Sequence, residues 1–423
     1  MKILHLCDHY RPLGGAEKLL FDTLRALEAA GIQNSVAMHD YPENRISGAR
    51  KEYIVPGLDA QPGSGGILSY LKICFRAKKC LAEIIRAEKP DVIHVHNIQN
   101  PFTFRECVKR APVVRSIHDP RLYCFTDWRL LPGSRKICPY PLGAKCIAEG
   151  CIGKDLLLYT LAGKRAIFKF LHYLAHRKAN KLILESKAMI SCILQNGYRE
   201  EQAACLPNFT VTHELLEVEE RNKKYGVPGE NSLVFVGRAS YEKGLSYLLE
   251  AVSLLKIPFR LYLVTGGPEM HAVSQKIKEL KLEDRVTVPG ILSYEETRKY
   301  YNLADVVVVP SVWLESFCLV GLEAMANAKP VVAYRTGGIS DWLEDGKTGL
   351  LAGCGNVPEL AEKIEALLLD KTRAAEYGRN GYNRVREFYS REVYLPRLID
   401  IYKEAAKKSD KRNNKFYHNL LSS

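Results

Sequence analysis

The chain has 423 residues, enough for two domains or three at roughly 150–200 residues each. With 47% hydrophobic and 26% charged residues it is composed like a folded globular protein, which excludes disorder and collagen-like repeats. The formal charge of +13 sits wholly in residues 1–200, with 31 Lys+Arg against 18 Asp+Glu, while 30 of each cancel in 201–423. Residues 101–200 alone hold 18 basic against 7 acidic side chains. A basic half faces something anionic: nucleic acid, a phospholipid surface or a phosphorylated substrate. No zinc-finger spacing, RNP-like aromatic motif or basic heptad is present, so nucleic acid is set aside as a partner. The longest near-continuous apolar stretch, Leu156–Gly163, falls short of the roughly 20 residues that span a bilayer. The opening run is broken by His5, Asp8 and His9 and reads as neither signal peptide nor anchor, so a cytoplasmic chain is expected.

In chain order, the first set of β-rich runs is Lys2–Cys7, Ser35–His39, Val92–His96, Val113–Ile117 and Leu182–Glu185. The second is Leu233–Val236, Phe259–Val264, Val286–Val288, Val306–Val309, Val331–Ala333 and Leu350–Ala352. Helical patterns such as Glu17–Ala30, Ser69–Ala87, Tyr247–Leu255, Glu269–Leu280 and Val357–Leu369 lie between them. Near-continuous apolar, β-branched runs alternating with helices predict parallel strands covered on both faces, twice over. The expected fold is therefore α/β, with two Rossmann-like doubly wound sheets and a ligand cleft at their carboxyl ends. The break is placed near Pro207-Asn208, before the polar stretch Glu214–Lys224 and the turn Val227-Pro228-Gly229. The domains expected are 1–207 and 210–385. A helix over 389–408 packs back on the first, and KKSDKRNNK leads into a solvated or disordered tail, 409–423.

The chemistry concentrates in the second domain. Strand Leu233–Val236 runs into Gly237-Arg238, and Glu242-Lys243-Gly244 precedes a helix. Arg238 offers a bidentate fork and Lys243 a mobile point charge, a grip suited to a diphosphate. After Val306–Val309 comes Pro310-Ser311, with Glu315 in the following loop and Glu323 inside the next helix. That helix starts near Phe317, Cys318 and Leu319, where free backbone N–H groups make an anion site. A carboxylate at Glu323 suits the vicinal hydroxyls of a ribose, and Glu315 reaches the group beyond the phosphates. Glycine loops at Gly266-Gly267, Gly290-Ile291 and Gly337-Gly338 end further strands of the same sheet.

The ordered set GR-x3-EKG, G-Ile-Leu, PS-x3-E-x7-EAMA-x2-KPVVA and GG, together with Gly14–Glu17, His118-Asp119 and Pro207-Asn208, resembles family 4 of the retaining glycosyltransferases. That resemblance implies the two-domain GT-B fold and transfer of a sugar from a nucleoside-diphosphate sugar, UDP- or GDP-linked, with retention at the anomeric carbon. It implies that Arg238 and Lys243 bind the donor diphosphate, Glu323 the ribose and Glu315 the transferred sugar. It further implies that Gly290 and Ile291 lie at the base, that Gly15 brings a backbone N–H to the donor phosphate, and that His118 faces the donor sugar. Two departures stand out: the family usually has glycine where Cys318 stands, and glutamate where Asp341 follows Gly337-Gly338.

No Asp-x-Asp pair occurs, so the leaving phosphate's charge falls to Arg238, Lys243 and the helix start rather than to a metal ion, and no cofactor is required. Cys124, Cys138, Cys146 and Cys151, spaced C-x13-C-x7-C-x4-C, match no standard zinc pattern and read either as thiols in an irregular loop or as a structural zinc site. His94 and His96 read as core or strand-end histidines. From Lys164, a helix aligns Arg165, Lys169, His172 and His176 on one side and Ile167, Phe170, Leu171 and Leu174 on the other. Its basic face either rests on an anionic membrane, with the protein peripheral on the membrane's inner face, or stays wet while the helix packs on its own sheet. The acceptor expected is a glycan or a lipid pyrophosphate, in cell-surface polysaccharide or lipopolysaccharide synthesis. The competing readings are an epimerase or phosphorylase on the same fold and a non-catalytic nucleotide-sugar-binding protein. A NAD-type oxidoreductase is disfavoured because G-x-G-x-x-G is missing after the first strand.

Overall fold

The structure, a computed structural model, describes residues 1–10, 15–42, 44, 50–61, 67–152, 161–212 and 231–421, with side chains except over 161–165 and 408–421. Gly14 and the stretches Glu214–Lys224 and Val227–Gly229 lie outside the described residues, as do the side chains of Lys164 and Arg165. The chain divides into two compact units, Met1–Pro207 with Tyr394–Ser423, and Asn208–Val393.

The first unit runs β1 (Lys2–Cys7), α1 (Gly15–Ala29), β2 (Gln33–His39), β3 (Lys51–Val55), α2 (Ile67–Glu88), β4 (Val92–Val95), α3 (Pro101–Arg110), β5 (Val113–Ile117), α4 (Ala144–Ala148), α5 (Leu161–His176), β6 (Lys181–Leu184), α6 (Lys187–Gln195) and β7 (Ala203–Cys205). Its sheet has the order β3-β2-β1-β4-β5-β6-β7 with every pairing parallel. Strands β3 and β7 escape the apolar-run signal because they are the two edges. The first opens on Lys51-Glu52 and buries only Glu52 and Val55, and the second is three residues long. Register sets His5 of β1 beside His94 of β4, so the histidines of this sheet form a cluster rather than scattered singletons.

The second unit runs β8 (Ser232–Arg238), α7 (Leu245–Ser253), β9 (Arg260–Gly266), α8 (Met270–Glu279), β10 (Val286–Thr287), α9 (Tyr294–Leu303), β11 (Val306–Val309), α10 (Leu319–Ala326), β12 (Val331–Tyr334), α11 (Ile339–Trp342), β13 (Gly349–Ala352), α12 (Val357–Leu369) and α13 (Lys371–Phe388). Its sheet is again wholly parallel, in the order β10-β9-β8-β11-β12-β13. Leu233, Leu261, Val306 and Val308 pack with Leu248, Leu249 and Ile364 on one face, and Val307, Leu322, Met325 and Trp342 on the other. Helix α9 is fixed at its start by a reciprocal capping box between Ser293 and Glu296.

The last helix, α14 (Arg391–Leu421), continues through the KKSDKRNNK stretch instead of fraying at 409. The run Lys403–Lys408 of strong helix formers leads into that stretch, and the lone proline, Pro396, sits near the helix start. Its Tyr394, Leu398 and Tyr402 are buried in the first unit, and the Tyr402 hydroxyl lies 2.7 Å from His94 Nδ1. No helix among the described residues is long and apolar enough to cross a membrane.

Helix α5 corrects both readings of its basic side. Lys169, His172 and His176 are buried, whereas Ile167, Phe170, Leu171 and Leu174 are exposed. The Lys169 ammonium donates to the Arg121 carbonyl at 2.7 Å and to Asp127 Oδ1 at 2.8 Å. His176 donates from Nδ1 to the His172 carbonyl and stacks on Phe104 with centroids 3.7 Å apart. A neutral imidazole packs as an aromatic ring, so the basic stripe serves as the packing face.

Candidate functional site

In the second unit, strand order reverses between β8 and β11, the place where a doubly wound sheet opens a crevice at its carboxyl edge. Arg238, the last residue of β8, and Ser311, just past β11, flank that point. Three loops meet there, each held by a backbone contact. The Glu242 carbonyl accepts from the Val312 N–H at 3.0 Å, and the Glu315 carbonyl accepts from the Gly338 N–H at 2.8 Å. Gly244 has φ of +72° and a Cβ there would fall 1.9 Å from the Pro310 carbonyl oxygen. At Gly337, φ is +49° and a Cβ would fall 2.0 Å from the Glu315 oxygen. Only glycine satisfies both demands at these two turns.

Within this frame Lys243 donates to Glu315 Oε1 at 2.7 Å, and the Ser311 hydroxyl donates to the same oxygen at 2.7 Å. The ammonium also lies 5.2 Å from the Trp313 ring centroid. Glu315 is 2% exposed, so its hydrogen bonds come from these partners rather than from bulk water. Burial works against the charge of Lys243, but the Glu315 carboxylate outweighs it and holds the ammonium above its usual pKa. Arg238 keeps a half-exposed guanidinium, steadied through Nη2 by Glu242 Oε1 at 2.8 Å. Glu242 would be neutralised by burial, yet the Ser240 hydroxyl and Arg238 hold its pKa below the ordinary carboxylate range. A Cβ on Gly267 would fall 2.9 Å from Arg238 Cγ, and one on Gly266 would fall 2.6 Å from Ile291 Cγ1, so Arg238, the glycine pair and Ile291 adjoin. Ile291 is 82% exposed, beside Gly290 at φ of +91°.

Helix α10 begins after Cys318 with no acidic side chain in its first turn, leaving the positive end of its dipole toward this crevice. The Phe317 side chain is fully buried, so it contributes backbone alone to any ligand. Its carbonyl accepts from Trp342 Nε1 at 2.6 Å, which anchors the turn. Leu319 is partly exposed at the helix start. Cys318 has φ of +73° and ψ of +79°, the left-handed region that favours glycine. Burial and the charge of Glu315 push its thiol up to about 12. Glu323 sits one turn into α10 and accepts from the Tyr301 hydroxyl at 3.1 Å. Nothing in the local sequence marks Tyr301 as the partner of Glu323 or Trp313 as the ring beside Lys243, whereas Ser311 reaches Glu315 from four residues away in the same loop.

The remaining predicted residues lie in the first unit. Gly15 is exposed at the start of α1. His118 follows β5, with its Nδ1 2.5 Å from Glu185 Oε1. Burial opposes its charge, but Glu185 and Asp119 outweigh that and raise its pKa. Glu185 is unremarkable in the sequence, since only the pairing of β5 with β6 brings it to His118.

Cys124, Cys138 and Cys146 are buried and Cys151 is partly so. Burial, then the neighbouring thiols, lifts Cys151 to about 11. The sulfurs have local partners: Cys124 at 3.2 Å from Thr126 Oγ1, Cys138 donating to the Tyr140 carbonyl and Cys146 to that of Pro141. Among the described residues the group with three ligand atoms within 4.8 Å of one another is His5, His94 and His96. Both nitrogens of His5 and of His94 are already engaged, by His96 and Asn34 and by Tyr402 and Ser116. This cluster is a hydrogen-bonded neutral core, with burial pressing His5 down to about 4.

Residues 13–214 match the family model described as Glycosyltransferase Family 4, and residues 217–384 match Glycosyl transferases group 1. The chain belongs to the group 1 glycosyltransferases. Among its relatives are the alpha-D-kanosaminyltransferase of Streptomyces kanamyceticus, 31% identical over 44% of this chain, and a D-inositol 3-phosphate glycosyltransferase of Pseudarthrobacter chlorophenolicus, 36% identical over 37%. The matched stretches take in less than half of either relative, 48% and 39%. The fold is that of sucrose-phosphate synthase from Thermosynechococcus elongatus, with a TM-score of 0.72 and 20% identity over 95% of this chain and 98% of that one. Anabaena HepE, solved with UDP-glucose, gives 0.69 and 20% over 97% and 100%. Two parallel-sheet domains of seven and six strands are the GT-B architecture of these glycosyltransferases.

Proposed function

We propose that this glycosyltransferase moves a sugar from a nucleoside-diphosphate sugar to a glycan or lipid-linked acceptor, with retention of anomeric configuration. The observation that carries the reading is the ion pair of partly exposed Lys243 with buried Glu315 at the switch point of the second sheet, with Arg238 and the start of α10 beside it. Those groups suit a diphosphate and the sugar attached to it. The complex of HepE with UDP-glucose supports a nucleotide sugar as donor. One relative is named for the sugar it transfers, kanosamine, and another for an inositol 3-phosphate acceptor, and cell-surface polysaccharide or lipopolysaccharide assembly is the setting we infer from the family resemblance.

In this mechanism the anomeric carbon–oxygen bond breaks, its electron pair leaves with the nucleoside diphosphate, and the acceptor oxygen bonds the same face. The acceptor's proton passes to the departing phosphate. We give His118 no part in that proton transfer: with Nδ1 held by Glu185, it takes the sugar-facing role that the family resemblance implies. Lys243, Arg238 and the helix N–H groups stabilise the leaving charge, so the diphosphate needs no metal ion.

Arg238→Ala is the cleaner test, since Lys243→Ala would strand a buried carboxylate at Glu315. Losing a charge-assisted hydrogen bond predicts UDP-sugar or GDP-sugar binding weaker by roughly 10- to 100-fold, with turnover falling alongside; Glu242 keeps its Ser240 partner, so the melting temperature should fall less than in Lys243→Ala. Wild-type binding and turnover in that variant would refute the site. The same assay, run with a panel of nucleotide sugars, separates transfer from an epimerase, which needs no acceptor, and from a phosphorylase, which needs inorganic phosphate.

A further inference from the structure

Two helices of the first unit turn large apolar side chains outward. On α2, Leu68 is 72% exposed and Phe75 68%, with Leu71 exposed between them at helical spacing. On α5, Ile167, Phe170 and Leu174 repeat the arrangement. Tyr70 of α2 packs edge-on against Phe168 of α5 with centroids 6.1 Å apart, so the two stripes belong to neighbouring helices. Scattered exposed leucines are ordinary, but two aligned stripes of this size on adjoining helices mark an interaction surface.

The charge around them selects the partner. From Ile67 to Ala82, α2 holds Lys72, Arg76, Lys78 and Lys79 and no acid, and Lys72, Arg76 and Lys79 are exposed. Helix α5 has no acidic residue at all, and the exposed Lys178 follows it. A second copy of the chain would press these cations against their own kind, whereas anionic headgroups neutralise them while the apolar side chains enter the acyl boundary. Topology adds a reason. Each helix feeds a parallel strand, α2 into β4 and α5 into β6, so each begins at the carboxyl edge of the sheet, the edge that also bears His118. A lipid-borne acceptor would reach that edge without leaving its bilayer.

We propose that the exposed faces of α2 and α5 dock the first unit on an anionic membrane surface, using the apolar side of α5 in place of its buried basic side. The inference goes beyond the donor reading, since vesicle binding needs no sugar. The test is sedimentation of the full chain with vesicles of phosphatidylglycerol and phosphatidylcholine in equal parts, against phosphatidylcholine alone. The wild-type chain should sediment with the anionic vesicles and stay largely in solution with the neutral ones. Phe75→Ser with Phe170→Ser, and separately Lys72→Glu with Arg76→Glu, should each weaken anionic-vesicle binding by about tenfold or more. Melting temperature and donor hydrolysis should not change, because these side chains are exposed and none of them is among the donor-binding groups. No vesicle binding by the wild-type chain, or variants that bind like it, would overturn the proposal. So would concentration-dependent dimers that the Phe75→Ser/Phe170→Ser variant abolishes in a chain that ignores vesicles, an outcome assigning the face to a second copy.

Discussion

Cys318 holds a left-handed backbone in the loop that starts α10, at a position where the family resemblance expects glycine. A non-glycine residue there costs about 1–2 kcal/mol, part of which glycine would give back by loosening the unfolded chain. Cys318→Gly should therefore stabilise the second unit by about 1 kcal/mol, read as a higher urea midpoint at unchanged slope. A variant no more stable than wild type would mean that the thiol's packing beside Glu315 and Lys243 compensates the strain. The departure was visible in the sequence, but its conformational consequence was not. The same holds for Glu315 and Glu323. Their residue types suggested sugar and ribose contacts, while of the partners that keep those carboxylates tolerable in a buried place, Ser311 shares the loop of Glu315 and Lys243 and Tyr301 come from two other segments.

At the scale of elements, the site is three turns locked by backbone contact, and glycine is what lets them approach. Gly244→Ala meets both a φ of +72° and the Pro310 carbonyl, whereas Gly346→Ala meets a φ of +75° with nothing within 4 Å. The first should cost more than about 2 kcal/mol and take donor binding with it, while the second should cost about 1 kcal/mol and spare binding. Equal melting shifts for the two variants would show that the turn, not the contact with β11, governs this loop. The order and kind of the elements was readable because buried parallel strands are near-continuous apolar runs, as in Val306–Val309. It failed at the edges, β3 and β7, where the runs are short or charged. It also failed on α5, where helical spacing found two faces correctly but residue type assigned the wrong one to the core. Lys169 escapes the rule that a lysine stays outside by donating to Arg121 and Asp127, partners that spacing cannot foresee.

For the molecule as a whole, charge and burial diverge: the basic half of the sequence also houses a group of neutral histidines. His5, His94, His96, His172 and His176 are all buried with pKa values depressed by desolvation, His5 to about 4. An unfolded chain binds protons on such groups from pH 6.5 downward while the fold refuses them, so stability falls as pH falls through that window. Two groups act in the opposite sense. His118 is raised by Glu185, and Asp59, buried and lifted to about 7, is more readily protonated in the fold than outside it. Five groups against two leave a net loss of stability as the pH falls from 7 to 5. The loss belongs to the first unit alone, because all seven groups lie there. Hydrogen exchange by mass spectrometry, corrected for the intrinsic rate at each pH, should show peptides of β1 and β4 losing protection at pH 5 while those of β8 and β11 do not. Protection in β1 and β4 that stays level from pH 7 to pH 5 would mean that the buried imidazoles take up protons within the fold, and that water or a neighbouring carboxylate reaches them.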